Sequence, residues 1–387
     1  MTSITRARAK SESSTSSGFR VERALRRPHS RPNRGTMAAR LVHARALFPA
    51  RMPTPSPASR SARAARPPRL PSVRAATDDD APELPDYDIV ALGPSLETSA
   101  LALGAQGWIG GSDDANAYVA AVDRGYLLLG ARAPSELALL KEYERYWRLS
   151  DAAQLPGCRP PRVYASVELG ADGTSVLDTL QAHAIAAGGA VPDLFCFRLA
   201  PGADPAAVAA GVASAVELGA CPADVAVDGF DGATLEAFVA ALADAAPDAR
   251  VAFDRVVFSL ADRSAEMDGT LATCARLGVG AVAAEPLGEG DRVVDLAHPE
   301  CDEGQARLLA FLGSMVGGGV QRSPMQVALN WVLCKGATPE VATRRGTRAW
   351  EAGGAMLWRL DENAVGIIDE RNAAAENGDG GGGPAPA

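Results

Sequence analysis

Leu194-Phe195-Cys196-Phe197-Arg198-Leu199, an Ala-rich run from Pro205 to Leu218, and then Val225-Ala226-Val227-Asp228-Gly229 set the pattern of the chain. The short runs are apolar on both faces, as strands buried on both sides must be, and the Ala-rich run between them has helical spacing. The rhythm continues through a helix over Ala233 to Ala245, a strand over Val251 to Phe258, a helix from Ala265 to Leu277 closed by Gly278, and a strand over Ala281 to Ala284. Helices over Glu303 to Val316 and Ser323 to Cys334 then precede a short strand near Thr338 to Ala342, with helices over Arg345 to Met356 and Asp361 to Glu370 after it. Toward the N-terminus the runs Tyr87 to Leu92 and Leu101 to Ala105 open the series, followed by a helix over Asp113 to Asp123 and a strand at Tyr126 to Leu129. A helix from Ser135-Glu136 to Arg148, the strand Arg162 to Leu169 and a helix from Ser175 to Ala187 complete it. Apolar strands that each lead into a helix predict a single-domain α/β fold, a closed (β/α)8 barrel over residues 84–372.

The flanks differ in composition. The first 74 residues hold 17 Lys or Arg and 2 Glu, against 38 basic and 47 acidic residues in the whole chain, leaving 21 basic and 45 acidic residues for the rest. Ser/Arg/Ala/Pro-rich and nearly acid-free, residues 1–75 read as a transit peptide, and Val73-Arg74-Ala75-Ala76 resembles a plastid processing site. Chloroplast import is therefore expected, with the mitochondrion as the alternative. Residues 373–387 read as a disordered tail. The acidity of the remainder argues against nucleic acid or an anionic membrane as partner, and no apolar run is long enough to span a bilayer. Six widely spaced cysteines without a Cys-x-x-Cys pair predict reduced thiols and no metal centre.

A family resemblance lies in the C-terminal third. Ser323-Pro324-Met325-Gln326-Val327-Ala328-Leu329-Asn330-Trp331-Val332 resembles the helix that aldo-keto reductases place before their last barrel strand. Lys335-Gly336-Ala337-Thr338-Pro339 and the segment Arg344 to Met356 resemble that family's NADP(H) adenosine-phosphate region, and Trp358-Arg359-Leu360-Asp361-Glu362-Asn363 its approach to the C-terminal helix. Val257-Phe258-Ser259-Leu260-Ala261-Asp262-Arg263 is similar to its sixth-strand motif. Within that family these motifs resemble the chloroplast aldo-keto reductases of plants and algae. The resemblance implies an NADP-dependent oxidoreductase fold and a site at the barrel mouth. There an Asp, a Tyr, a Lys and a His reduce carbonyls, with the Tyr as proton donor and the Lys lowering its pKa.

Those four places are occupied otherwise here. Gly130 takes the position of the Asp, the short loop Ala131-Arg132-Ala133-Pro134 holds no Tyr, Ser166 stands for the Lys and Arg198 for the His. Beyond residue 75 the chain has two lysines, Lys141 and Lys335, and two histidines, His183 and His298, none of them at a strand end in the first half of the barrel. A phenol without a neighbouring ammonium keeps a pKa near 10, so tetrad chemistry is not expected. The positions that hold the nicotinamide in the family read Asp228-Gly229, Arg255 and Ala284. At the adenosine end, Arg344, Arg345, Arg348 and Glu351 match the family's phosphate-binding segment, which implies weak NADP(H) binding.

Charges remain around the expected mouth: Glu168, Arg198, Asp228, Arg255 and Glu285. They predict either mutual pairing that closes an abandoned pocket or a new site for a small anionic ligand on Arg198 and Arg255. Tyr164 and Cys196 are expected to pack, Trp108 is assigned to either a pocket or the core, and His183 and His298 are expected to be structural. The sequence thus predicts a non-catalytic or NADP(H)-binding pseudoenzyme. The alternatives are an active NADPH-dependent oxidoreductase using non-standard residues and a carboxylate chemistry at Glu168, Asp228 and Glu285.

Overall fold

A computed structural model of the chain describes residues 88–149, 153, 159–170, 175–316 and 320–376. The expected transit peptide, residues 1–75, lies outside the described residues, as do residues 377–387.

Eight parallel strands close into a barrel. They are β3 (Ala102–Gly104), β4 (Leu128–Ala131), β5 (Arg162–Leu169), β6 (Leu194–Leu199), β7 (Asp224–Asp228), β8 (Arg250–Val257), β9 (Gly280–Ala284) and β10 (Ala337–Ala342). β10 pairs with β3, so the sheet has no free edge. The predicted (β/α)8 fold is the observed one. The run at Tyr87 to Leu92, read as part of the strand–helix series, proves different: β1 (Ile89–Leu92) and β2 (Leu96–Ser99) form an antiparallel hairpin that joins no barrel strand. Its turn needs a left-handed residue, supplied by Gly93 at φ 67°, where a Cβ would stand 2.6 Å from the Ala252 carbonyl. The hairpin thereby drives Leu92 and Leu96 into the interior cluster formed with Leu128, Ala252 and Phe253, plugging the N-terminal end of the barrel.

The helices are α1 (Ser112–Asp123), α2 (Pro134–Arg148), α3 (Val176–Ala186), α4 (Pro205–Glu217), α5 (Gly232–Ala245), α6 (Ser264–Met267), α7 (Thr270–Leu277), α8 (Glu303–Met315), α9 (Pro324–Cys334), α10 (Gly346–Gly353) and α11 (Glu362–Glu376). The last continues past residue 372, where a tail was expected, because Asn372 is buried and its Nδ2 donates to the Leu260 carbonyl at 2.7 Å. Ser175, Asp204, Asp231, Asp302 and Ser323 each accept a backbone N–H at their helix start, worth about 1 kcal/mol apiece. Glu136 goes further. Buried inside the first turn of α2, its carboxylate accepts the N–H groups of Gly107, Arg132 and Ala133, tying two loops at the open end of the barrel to one helix.

The Asn330-Trp331 pair of the C-terminal motif has a structural explanation. Asn330 Nδ2 donates to the carbonyls of Ala355 and Trp358, and its Oδ1 accepts from Leu360 N. Trp331 stacks on Phe258 with centroids 5.3 Å apart and donates to Asp369 at 2.9 Å. The two side chains staple the segment after α10 and helix α11 onto the barrel.

Candidate functional site at the barrel mouth

Strands β5 to β8 and, across the barrel interior, β10 bring five charged or phenolic side chains into one continuous chain. Tyr164 on β5 donates its hydroxyl to Glu340 Oε1 on β10 at 2.7 Å. The other oxygen of Glu340 accepts from Arg255 Nε on β8 at 2.5 Å. Arg255 Nη1 lies 3.3 Å from Asp228 Oδ1 at the end of β7, and Asp228 Oδ2 takes Arg198 Nη2 from β6 at 2.7 Å. The chain runs from a wholly buried phenol to an arginine whose side chain is 43% exposed. Mutual pairing is thus realised for Arg198, Asp228 and Arg255, while Glu168 and Glu285 stay exposed.

Electrostatics follow from this order. Burial, and then Glu340, push the Tyr164 hydroxyl well above its ordinary value, so it is a poor acid at neutral pH. Burial opposes the charge on Arg255, but Glu340, Tyr164 and Asp228 outweigh it and hold the guanidinium protonated. Burial, with Asp228 behind it, likewise raises the Cys196 thiol, leaving it inert. Glu340 was not singled out in the sequence. A lone acid in the apolar run Ala337 to Ala342 was the available signal, since such a residue requires an internal cation, and Arg255 is the one that meets it.

The three residues expected in place of the tetrad, Gly130, Ser166 and Arg198, have definite surroundings. Gly130 sits against Tyr164 and Glu340: a Cβ there would overlap the phenol hydroxyl and lie 2.6 Å from Glu340 Oε1. Any side chain at residue 130, an aspartate included, therefore competes with the Tyr164–Glu340 pair for one volume. Ser166 packs with its Oγ buried and without a partner among the described residues, and Arg198 is held by Asp228. Neither lysine comes near. Lys141 on α2 pairs with Asp193 at 2.9 Å, and Lys335, just before β10 at the opposite end of the strands, pairs with Glu266 and Asp369. Tyr164 and Cys196 are core residues, and Trp108 is buried with its Nε1 bonded to the Thr343 carbonyl at 2.9 Å. His183 stands edge-on to Phe195, and burial lowers its pKa, while His298 Nδ1 accepts the Glu300 N–H at 3.2 Å.

Above the chain opens a cavity of about 710 Å³ at the C-terminal ends of the strands. Arg198, Asp228 and Arg255 contribute to its lining, joined by Arg132 from the loop after β4, Asp231 at the start of α5 and Glu285 after β9. Arg132 and Asp231 were not singled out in the sequence, because their convergence depends on loop geometry. Beneath the Gly229-Phe230 turn lies Asp254 on β8, fully buried, with Oδ1 3.5 Å from Phe230 N and Oδ2 without a partner among the described residues. Burial pushes this carboxyl well up, against the backbone N–H of Phe230.

The residues expected to hold an adenosine phosphate lie elsewhere, around the start of α10. Arg344 Nε is 2.7 Å from buried Asp114 on α1, and Arg348 Nη2 is 2.6 Å from Asp291, a non-glycine residue at φ 64° in the turn after β9. Arg345, at the helix start, and Glu351 are exposed. Three guanidinium groups at a helix N-terminus fit a phosphate, although two of them are already engaged by carboxylates. The residues expected at the nicotinamide end do not suit that group: Arg255 and Asp228 are engaged in the buried chain, and Ala284 has no ring to stack on. Among the described residues there is no cluster of metal-ligating side chains, and no helix is long and apolar enough to cross a membrane.

No family model matches the sequence, and no curated protein does. Solved structures do resemble it. The thermostable aldo-keto reductase Tm1743, solved with the inhibitor epalrestat, is 20% identical at TM-score 0.56, over 73% of this chain and 98% of its own. A Bombyx mori aldo-keto reductase (AKR2E4) in complex with NADP is 16% identical at TM-score 0.56, over 73% and 92%. The glycerol dehydrogenase AKR11B4 from Gluconobacter oxydans is 18% identical at TM-score 0.56, over 78% and 98%. At these identities the likeness is one of fold: the chain has the eight-stranded parallel barrel found in these aldo-keto reductases.

Proposed function

We propose that the chain is a divergent plastid member of the NADP-dependent oxidoreductase (aldo-keto reductase) family that has given up hydride transfer and serves as a binding protein. One observation carries this reading. The barrel interior beneath the mouth is filled by the buried chain Tyr164–Glu340–Arg255–Asp228, where tetrad chemistry would need an acid beside an ammonium group. The nearest phenol donates to a carboxylate, which makes it a weaker acid rather than a stronger one. NADP(H) binding is retained only weakly, through Arg344, Arg345 and Arg348, with Glu351 beside them. The dinucleotide found in the Bombyx mori relative supports that expectation, as do the free cation Arg345 and the helix start. Plastid import rests on the composition of residues 1–75.

The test is titration of the full chain with NADPH, followed by NADPH-oxidation assays on a panel of aldehydes and quinones. Weak saturable binding without turnover is expected. Turnover well above background would instead establish an active reductase built from non-standard residues and end the proposal.

A further inference from the structure

The mouth cavity is lined by charges of both signs. Arg132 after β4 and Arg198 on β6 stand on one side of the ring of strand ends, and Asp231 after β7 and Glu285 after β9 on another. Two of these groups are free. Among the described residues, the Arg132 guanidinium and the Glu285 carboxylate form no ion pair and no hydrogen bond. Arg198 gives one nitrogen to Asp228 and leaves its other donors unbonded, on a side chain that is 43% exposed. Asp231 is kept ionised by the Thr234 backbone N–H, which lowers its pKa. Asp228 and Arg255, already paired with each other, also line the cavity, together with apolar Leu199, Phe230, Val257 and Ala284.

Glu285 also adopts an unfavourable backbone. At φ 51° it is one of only three non-glycine residues in the described chain with positive φ, in a turn where glycine would be relaxed. Strain of this kind persists where the surroundings impose it and concentrates at ligand clamps. Here it sets a carboxylate on the rim of the cavity.

We propose that this cavity binds a small zwitterion, an α-amino acid with an aliphatic side chain. Its carboxylate is held by Arg132 and Arg198, its ammonium by Asp231 and Glu285, and its side chain lies on the Leu199–Phe230–Val257 surface. A single anion would leave the acidic side unanswered and place Glu285 near a like charge. A single cation would do the same to Arg132. The volume is within the usual range for small-molecule pockets. Binding of this kind does not depend on whether reductase activity has been lost, since it uses Arg132, Asp231 and Glu285 and only the exposed end of the chain, Arg198.

Three probes that differ by one charged group each decide the matter: L-leucine, 4-methylpentanoate (the same skeleton without the amine) and 3-methylbutylamine (without the carboxylate). Calorimetric titration of the full chain should show leucine binding roughly tenfold or more tighter than either relative, as expected for one additional charge-assisted hydrogen bond. Arg132→Ala should lower leucine affinity by about tenfold and leave the amine unaffected, whereas Glu285→Gln should do the converse with respect to the carboxylate. Arg132 is half-buried and Glu285 exposed, and circular dichroism verifies that the variants fold. The proposal is overturned if 4-methylpentanoate or the amine binds as tightly as leucine. It is equally overturned if neither variant alters leucine affinity, or if leucine shows no binding up to roughly 10 mM.

Discussion

Gly130 and Tyr164 share one space: the phenol hydroxyl lies where a Cβ on residue 130 would stand, and Glu340 closes the same volume from β10. A side chain at residue 130 and the buried tyrosine are therefore alternatives for a single volume. An Asp placed at this position should not be accommodated without displacing Tyr164. Gly130→Asp is expected to cost about 3 kcal/mol or more, through overpacking and a second buried carboxylate beside Glu340. Urea denaturation measures it, and a variant as stable as the parent would mean that Tyr164 can leave the barrel interior.

The buried chain should also behave as a unit. Glu340→Gln strands the Arg255 guanidinium on one side and should cost about 3 kcal/mol, whereas Tyr164→Phe removes only a neutral donor and should cost about 1 kcal/mol. In a double-mutant cycle the two losses should not add, because both act on the same carboxylate. Strict additivity would show that the phenol and the acid do not interact in solution.

Burial and Glu340 hold the Tyr164 hydroxyl protonated well beyond the ordinary range for tyrosine. Ultraviolet titration of the folded protein near about pH 10 should therefore have the same amplitude in the parent and in Tyr164→Phe. The difference of one tyrosinate should emerge only on unfolding.

Asp254 predicts a pH dependence with a definite sign. Its carboxyl is raised in the folded state by burial, with Asp228 and Asp231 adding to the shift, so the native protein binds a proton that the unfolded chain releases at lower pH. Stability contributed here is present below the unfolded value near 3.8 and is lost as pH rises toward the folded value. Asp254→Asn cannot ionise. Its stability relative to the parent should improve steadily from about pH 4 to pH 7, as followed by thermal unfolding across that range. A constant difference would mean that Asp254 is ionised in the fold.

At the adenosine end the cations are restrained by acids of the same chain. Asp291→Asn frees Arg348 and should tighten binding of adenosine 2′,5′-bisphosphate by about three- to tenfold, with an effect that fades at high salt. No change on titration would remove Arg348 from the phosphate site.

The order of elements was legible in the residues themselves. Apolar runs buried on both faces, alternating with Ala-rich helical stretches and punctuated by glycine, admit little besides a closed parallel barrel, because local periodicity and the right-handed crossover leave few other arrangements. Counting lysines and histidines gave the expectation on which the proposed loss of hydride transfer rests, since no folding can supply a residue the chain does not contain. Local pattern could not tell that Ile89–Leu92 turns back at Gly93 into a hairpin, because a two-strand plug and a barrel strand share the same alternation. Nor could it say which charges meet. Glu340 is 85 residues from Arg255 and 176 from Tyr164, and they touch only because β10 closes the ring against β3 and points the acid inward. The same closure decides that Arg132 and Glu285 face one cavity without partners among the described residues. Such contacts are set by strand register and loop path, and those are fixed by packing over the whole barrel rather than by any neighbour in sequence.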